Sequence, residues 1–363
     1  MKVDCESIAL ELSRDAEARR SENHTSGGVF MKSLRIWLAA FTAAAVLASL
    51  PATAQQRQLR FGSPWPGTSP FHQAIVKFAE EVEKGSKGQL KVLVFPDGQL
   101  GDIQALINGL QTGTVDMTYL AIGNANVLKG GPQLNLAYVP YLFKSKAAAE
   151  EIANGPIFQK MYDDVASQSA VRIFAVYGQR TPRGVHNSKR AVVKPDDMKG
   201  LKIRIPPIDG MRQFVGTLGA QGVVMGLGDT YQGISRGQVD GHENGIDAVL
   251  SFKWYEVAKH WTETGHMYET AAWYMPEKLW QSLTPDQRKV MVDAAKTGGA
   301  VLSQMGEKMQ KDGIETLKAN GVTISSPDRA AFEAALKDAY KQSEGKLWPA
   351  GLVDQIRALP NNR

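Results

Sequence analysis

Cysteine is all but missing from the 363-residue chain. The single one, Cys5, stands at the far N-terminus, so no disulfide framework can hold the body of the protein. Metal-ligand spacings are missing as well. His72, His186, His242, His260 and His266 follow no H-E-x-x-H or comparable pattern, and each reads as a packed or surface polar residue. No G-x-G-x-x-G and no P-loop sequence occurs, which leaves phosphate-cradling chemistry without support. Charge of one sign is scarce: a formal net charge of +5 without a basic cluster is not the footprint of a nucleic-acid binder. Long apolar runs are limited to one, residues 36–50, too short to cross a bilayer comfortably.

What remains is an ordinary globular composition, 43% hydrophobic and 22% charged, with enough chain for two domains of typical size. The apolar run follows Lys32 and Arg35 and precedes Ala52, Thr53 and Ala54. A positive start, a short apolar stretch and an A-x-A exit predict a secretory signal peptide over 31–54, cleaved after Ala54. Residues 1–30 then read as an over-extended leader ahead of a true start at Met31. Cys5 lies in that leader, so the exported chain has no cysteine to carry a lipid and is expected to diffuse freely. The segment through Ala54 holds six basic and six acidic residues, so the mature chain keeps its +5, a bias that suits an anionic ligand.

Along the mature chain a strand at 57–62 leads to Ser69 and Pro70, a helix cap and first-turn proline, with Phe71, Ile75, Phe78 and Val82 at helical spacing. A strand at 89–95, a turn at 96–99, a helix marked by Ile103, Leu106, Ile107 and Leu110 and stopped by Gly113, and a strand at 115–122 follow. The alternation predicts a mostly parallel sheet with helices on its faces. GLQTGTVDM at 109–117 recurs as GISRGQVDG at 233–241, in each case a helix end, a glycine cap and an incoming strand, so the chain builds two similar lobes. A strand at 171–177 and a polar loop at 178–190 form the crossover between them. Thr284, Pro285 and Gln287 make a capping box for a helix reaching about Leu317, in which Gly298 and Gly299 predict a kink. Ser326 and Pro327 open a last helix with Phe332, Leu336 and Tyr340 on one face, before a loose tail.

In GLKIRIPP, residues 200–207, Leu201, Ile203 and Ile205 share one side of a strand, Lys202 and Arg204 the other, and Pro206 and Pro207 end it. An arginine at a strand end is ordinarily solvated. If it faces a cleft, its planar fork can clasp a carboxylate with two charge-assisted hydrogen bonds. Asn244 likewise stands just beyond a strand core, where open α/β sheets bind ligands. Trp65 and Trp273 are candidates for a pocket wall, and Tyr119 and Tyr177, near strand ends, offer hydroxyls; Trp254 and Trp280 read as core. Ser235 in GISRG fits G-x-S-x-G, but on a helix running into a strand, the reverse of a nucleophile elbow. Asp240 and Glu243 have no nucleophile beside them, so no enzyme is expected.

Taken together, PRGVHNSKR (182–190), DDMKGLKIRIPP (196–207), GQVDGHEN (237–244) and FKWYEVAKHWTETGH (252–266), with FPDGQLGD (95–102) and LQTGTVDM (110–117), resemble the dicarboxylate-type (DctP) family of solute-binding proteins of tripartite ATP-independent periplasmic (TRAP) transporters. The similarity covers essentially the whole mature chain. It implies an α/β, two-lobe periplasmic binding protein fold of the Venus flytrap type, with two mixed or parallel sheets flanked by helices and a long kinked helix spanning the lobes. Lobe I would hold 57–180 plus about 270–309, lobe II 181–269 plus about 310–351, and 352–363 would be a tail. By resemblance Arg204 makes the bidentate bond to the substrate carboxylate, Arg183 is a second arginine and Asn244 the motif amide. Leu227 stands where an aromatic often follows M-P, His242 replaces a glutamine and Gly245 a proline; these departures bear on the identity of the ligand. The resemblance further implies a periplasmic monomer without cofactor, metal or nucleic acid, handing a small organic acid to a small and a large integral membrane subunit driven by an ion gradient. A ligand-sensing partner of a signalling receptor, or a secreted α/β enzyme, are the alternatives. A dicarboxylate, a keto or hydroxy acid, a sugar acid or an aromatic acid would each present a carboxylate to Arg204.

Overall fold

Strand pairing sorts the chain into two mixed sheets. The structure, a computed structural model, describes residues 56–362. The expected leader and signal peptide therefore lie outside the described residues. The first sheet has the order β2-β1-β3-β10-β4, built from β1 (Arg57–Gly62), β2 (Leu90–Phe95), β3 (Met117–Ala121), β4 (Val171–Gln179) and β10 (Thr270–Pro276). The second has the order β11-β9-β5-β8-β6-β7, from β5 (Arg183–Asn187), β6 (Lys202–Ile205), β7 (Gln221–Val224), β8 (Gly241–Gly245), β9 (His260–Thr262) and β11 (Thr323–Ser325). β1, β2 and β3 run parallel, as do β6, β7 and β8, while β10 and β5 are antiparallel to their neighbours. This is the two-lobe α/β architecture.

Helices cover the first sheet for local reasons that the sequence states. Ser69 Oγ accepts the His72 N–H at 3.1 Å and Pro70 fills the first turn of α1 (Pro70–Gly85), which buries Phe71, Ile75, Phe78 and Val82. Asp102 caps α2 (Ile103–Thr112), and Gly113, at φ 78°, ends it in a left-handed turn that a side chain would strain. α3 (Lys146–Ala153) and α4 (Pro156–Ser169) follow, with Ala149, Ile152, Phe158 and Val165 buried. On the second sheet α5 (Asp209–Thr217) and α6 (Thr230–Ser235) connect parallel strands, and α7 (Ile246–Ser251) leaves β8 directly. Ser235 is exposed at the end of α6, ahead of the strand.

α8 (Glu277–Ser282) precedes α9 (Pro285–Ala319), whose cap is the Thr284–Gln287 box. α9 runs on as one helix through Gly298 and Gly299. The pair serves close approach: a Cβ on Gly298 would come within 2.7 Å of the Ala74 carbonyl oxygen, and one on Gly299 within 2.6 Å of the Tyr177 Cβ. Seven and fourteen residues further along the same face, Gly306 lies against Gln179 and Thr181, and Gly313 against Ile246 and Leu250.

Three expectations are corrected. The polar loop at 178–190 contains β5, a fully buried inner strand, because its polar side chains find buried partners across the ladder. The last expected helix, α10 (Arg329–Leu336), is capped by Asp328, which accepts the Ala331 N–H at 3.0 Å, not by Ser326. The tail is not loose: α11 (Leu352–Arg357) buries Leu352, Val353 and Ile356, and the Asn362 amide donates to the Leu142 and Ile356 carbonyls. Trp254 is core, as expected, whereas Trp280 is half-buried, stacked on Phe174.

Candidate ligand-binding cleft

The C-terminal ends of β6 and β8 meet the first half of the molecule at a small cavity that is partly open to solvent. Arg204, paired with His242 across the parallel ladder, reaches it from β6. Asn244 reaches it from β8. Both lie within their strands, not beyond them as expected. The first half contributes Trp65 and Phe71, stacked at 4.2 Å, together with Ile103, Leu120, Asn124 and Tyr138. Leu227 closes the wall on the other side.

Three arginines line the cavity, and they differ in what balances them. Arg183 is tied down: its Nη2 and Nε donate to the two Glu243 carboxylate oxygens at 2.6 and 2.7 Å, and its Nη1 to Glu269 Oε2 at 2.7 Å. Arg180 is tied down too, by Asp247 at 3.0 and 3.2 Å, by Glu269 and by Asn244 Oδ1 at 2.8 Å, with its guanidinium 5.0 Å over the Trp65 ring. Arg204 is only 2% exposed, and its one hydrogen bond among the described residues runs from Nε to the Met225 carbonyl at 2.9 Å. Among the described residues its two amino nitrogens have no acceptor and no carboxylate forms an ion pair with it.

The protonation states follow. Burial pulls Arg204 down to about 10, only partly opposed by Glu243, yet it stays charged at neutral pH. Burial would raise Glu243 and Glu269, but Arg183 in both cases, helped by His266 or Arg180, holds them below the usual carboxylate range. Burial lifts Tyr138 well above its ordinary value, and its hydroxyl donates to Glu269 Oε1 at 2.7 Å. Beneath Arg204, His186 Nδ1 and His242 Nε2 share a hydrogen bond at 3.2 Å; burial lowers both far enough to keep them neutral, His186 to about 3.

Asn244 is oriented by its neighbours. Its Oδ1 accepts from Arg180 Nη2 at 2.8 Å and from the Gly245 N–H at 2.9 Å. Two donors fix the oxygen on that side, so the NH₂ group points away from them, without a partner among the described residues.

Of the residues expected in the site, the structure brings together Arg204, Arg183, Asn244, Leu227 and Trp65. Tyr119, Tyr177 and Trp273 do not line the cavity. Trp273 and Tyr119 stand opposite each other on β10 and β3 and stack at 3.8 Å, on the sheet face that carries Phe61 and packs against Phe78 of α1. The Tyr119 hydroxyl donates to the Tyr177 carbonyl at 2.6 Å, and Tyr177 backs onto Gly299. Arg180, Phe71, Tyr138 and Glu269 are cleft residues the sequence reading missed. Arg180, three residues before Arg183 in a polar crossover, carried a signal; Glu269, in an irregular connection, carried none.

A crevice at the carboxyl ends of strands, closed between two α/β lobes and holding a cation unmatched among the described residues, defines the class of two-lobe periplasmic binding proteins. The model of the bacterial extracellular solute-binding protein family 7 (DctP) matches residues 61–346, and the chain belongs to this family of TRAP solute-binding proteins. A solute-binding protein of Roseobacter denitrificans is 33% identical over 307 residues, 83% of this chain and 91% of its own. The crystal structure of a Roseobacter denitrificans TRAP solute-binding protein, with bound L-galactonate, has a TM-score of 0.77 at 28% identity, covering 84% of this chain and 99% of that one. The 2,3-diketo-L-gulonate-binding periplasmic protein of Escherichia coli is 31% identical over 333 residues, 91% of this chain and 99% of its own. A Polaromonas TRAP protein bound to D-erythronate has a TM-score of 0.79 at 26% identity, with 84% and 99% of the two chains covered.

Proposed function

We propose that the chain is the extracytoplasmic solute-binding subunit of a TRAP transporter, exported to the periplasm after cleavage near Ala54, binding a small organic acid anion between its lobes and delivering it to a small and a large membrane subunit for uptake driven by an ion gradient. Lobe I comprises 57–180 with about 270–309, and lobe II 181–269 with about 310–351; the protein acts as a monomer and turns nothing over. The observation that carries the reading is Arg204, a charged guanidinium at 2% exposure whose two amino nitrogens lack an acceptor among the described residues. A buried cation of this kind costs stability unless an anion meets it. A carboxylate is the anion whose two oxygens match that fork. The Asn244 NH₂ group supplies a further donor to one of those oxygens. Arg183, held by Glu243 and Glu269 through four of its five N–H groups, is the second arginine of the site and braces its floor.

The named ligands of the similar proteins, 2,3-diketo-L-gulonate, L-galactonate and D-erythronate, are all acids with one carboxylate, which supports the reading. The test is a thermal-shift screen of organic acids on wild type and Arg204→Ala. A cognate acid at about 100 times its Kd should stabilise wild type by about 2.7 kcal/mol. It should leave Arg204→Ala unmoved. An acid that stabilises both proteins equally would sink the proposal.

A further inference from the structure

The segment that follows Arg204 is tied from the other half of the molecule, an arrangement whose use rests on the proposed closure of the two halves over an acid. α5 begins without a cap of its own: Ile208 occupies the capping position and has no side-chain acceptor to give. In the first turn the Met211 N–H returns to the Ile208 carbonyl at 3.1 Å, but the Gly210 N–H goes to Asn135 Oδ1 at 3.0 Å. Asn135 lies in the 3₁₀ segment Pro132–Tyr138, which packs on α4 and, through the preceding segment Ile122–Val127, on β10 of the first sheet. It is 1% exposed, and its own place is fixed: Nδ2 donates to the Pro132 carbonyl at 2.8 Å and to Asn126 Oδ1. Asn126 in turn donates to the Pro207 carbonyl at 3.1 Å. Two asparagines of one half therefore serve a carbonyl and an N–H on either side of Ile208, which with Pro206 lines the cleft.

Gly210 is shaped for this contact. A Cβ there would stand 2.8 Å from the Tyr138 Cβ, an atom rooted on its backbone and unable to swing aside. Its φ is not positive, so close approach and not backbone freedom explains the glycine.

We propose that Asn126 and Asn135 are positioning residues that set how long a bound acid is held: they cap α5 from across the cleft, a contact made only while the halves are shut, and neither lines the cavity itself. When the halves part, water replaces them at Gly210 and Pro207. Each hydrogen bond then favours the shut form by a net factor of about 5 to 10, and the effect falls on release more than on capture.

The test uses residues 55–363, which contain no cysteine, with Asn108→Cys and Gln232→Cys placed on exposed positions of α2 and α6 and a spin label on each. Label distances are recorded without acid and with L-galactonate, D-erythronate or 2,3-diketo-L-gulonate, the ligands of the similar proteins, and release of any acid taken up is timed by stopped flow. Asn135→Ala and Gly210→Ala should cut the ratio of short to long distances about 5- to 10-fold and speed release by the same factor, Asn126→Ala by less, at an unchanged capture rate. Without acid, Gly210→Ala should unfold no earlier than its parent, because alanine outranks glycine in a helix. Distances and release rates unchanged in all three variants would overturn the proposal. Earlier unfolding of acid-free Gly210→Ala would overturn it as well, by marking the contact as permanent packing. Acid binding that survives Arg204→Ala would instead overturn the arginine grip alone, since the distances judge the asparagines without reference to it.

Discussion

In the first half of the molecule Asp116 accepts the backbone N–H of Arg60 at 2.7 Å and returns its own N–H to the Arg60 carbonyl at 3.0 Å. In the second half Asp240 does the same with Lys202, at 2.8 and 2.7 Å. The turns before them match as well. Thr114 and Val115 donate to the Gly109 carbonyl, Gln238 and Val239 to that of Gly233, with Gly113 and Gly237 both at positive φ. Strand register continues the equivalence: Gly62 faces Thr118 as Arg204 faces His242. Arg204 therefore occupies the place of Gly62, and Asn244 that of Leu120. The backbone device is shared and the chemistry is not. At Gly62 a Cβ would overlap the Leu106 side chain, so the first half closes the position and offers apolar Leu120 to the cleft. The second half leaves room for a guanidinium and places an amide opposite.

The sharpest way to break this comparison is at Arg204. Arg204→Ala should lose about 2–5 kcal/mol of ligand affinity in calorimetry, because the acid's charge is stranded in a dry site. The same residue should be a burden without ligand: a cation whose pKa is depressed by burial opposes folding at every pH below about 10. Arg204→Met should therefore raise the midpoint of thermal unfolding of ligand-free protein, by about 1–3 kcal/mol of stability. At the equivalent glycine the sign reverses. Gly62→Val should destabilise by about 1–3 kcal/mol through overpacking against Leu106, read by denaturant unfolding.

The two aspartates sharpen the comparison. Asp116→Ala and Asp240→Ala should each cost about 1–3 kcal/mol by orphaning a strand N–H, and only Asp240→Ala, which anchors β6, should also weaken ligand binding. The smallest effect concerns acid. Glu243 and Glu269 are held below their ordinary value of 4.5, so their contribution is present in full above that pH and fades as pH falls beneath it. Glu243→Gln should unfold with a shallower loss of stability between neutral and acidic pH than wild type.

Much of this was legible in the sequence because it was written in local chemistry. Ser69-Pro70, Gly113, the Thr284–Gln287 box and the repeated GxxxGxVD turn each specify backbone geometry within a few residues, and the structure follows them. Arg204 could be located from strand alternation and two terminating prolines. The failures were cases where distant partners decide. β5 was hidden because RGVHN looks like loop until Glu243 and His242 neutralise its side chains from the neighbouring strand. Trp273, Tyr119 and Tyr177 were misplaced because alternation says that a side chain faces one side of a sheet but not which side holds the cleft. Arg180 and Glu269 find each other across 89 residues, a pairing no spacing rule reaches.

The row Gly299, Gly306 and Gly313 on α9 has a mechanical reading. Along this seven-residue repeat the helix shows bare backbone in turn to Tyr177 of the first sheet, to the crossover at Gln179 and Thr181, and to Ile246 and Leu250 beside the second. A methyl added at the first or last station would wedge the rod off its neighbour, since it would meet Tyr177 or Leu250 and Ile246 at under 3 Å, whereas at the middle one it would come to rest in ordinary contact with Gln179.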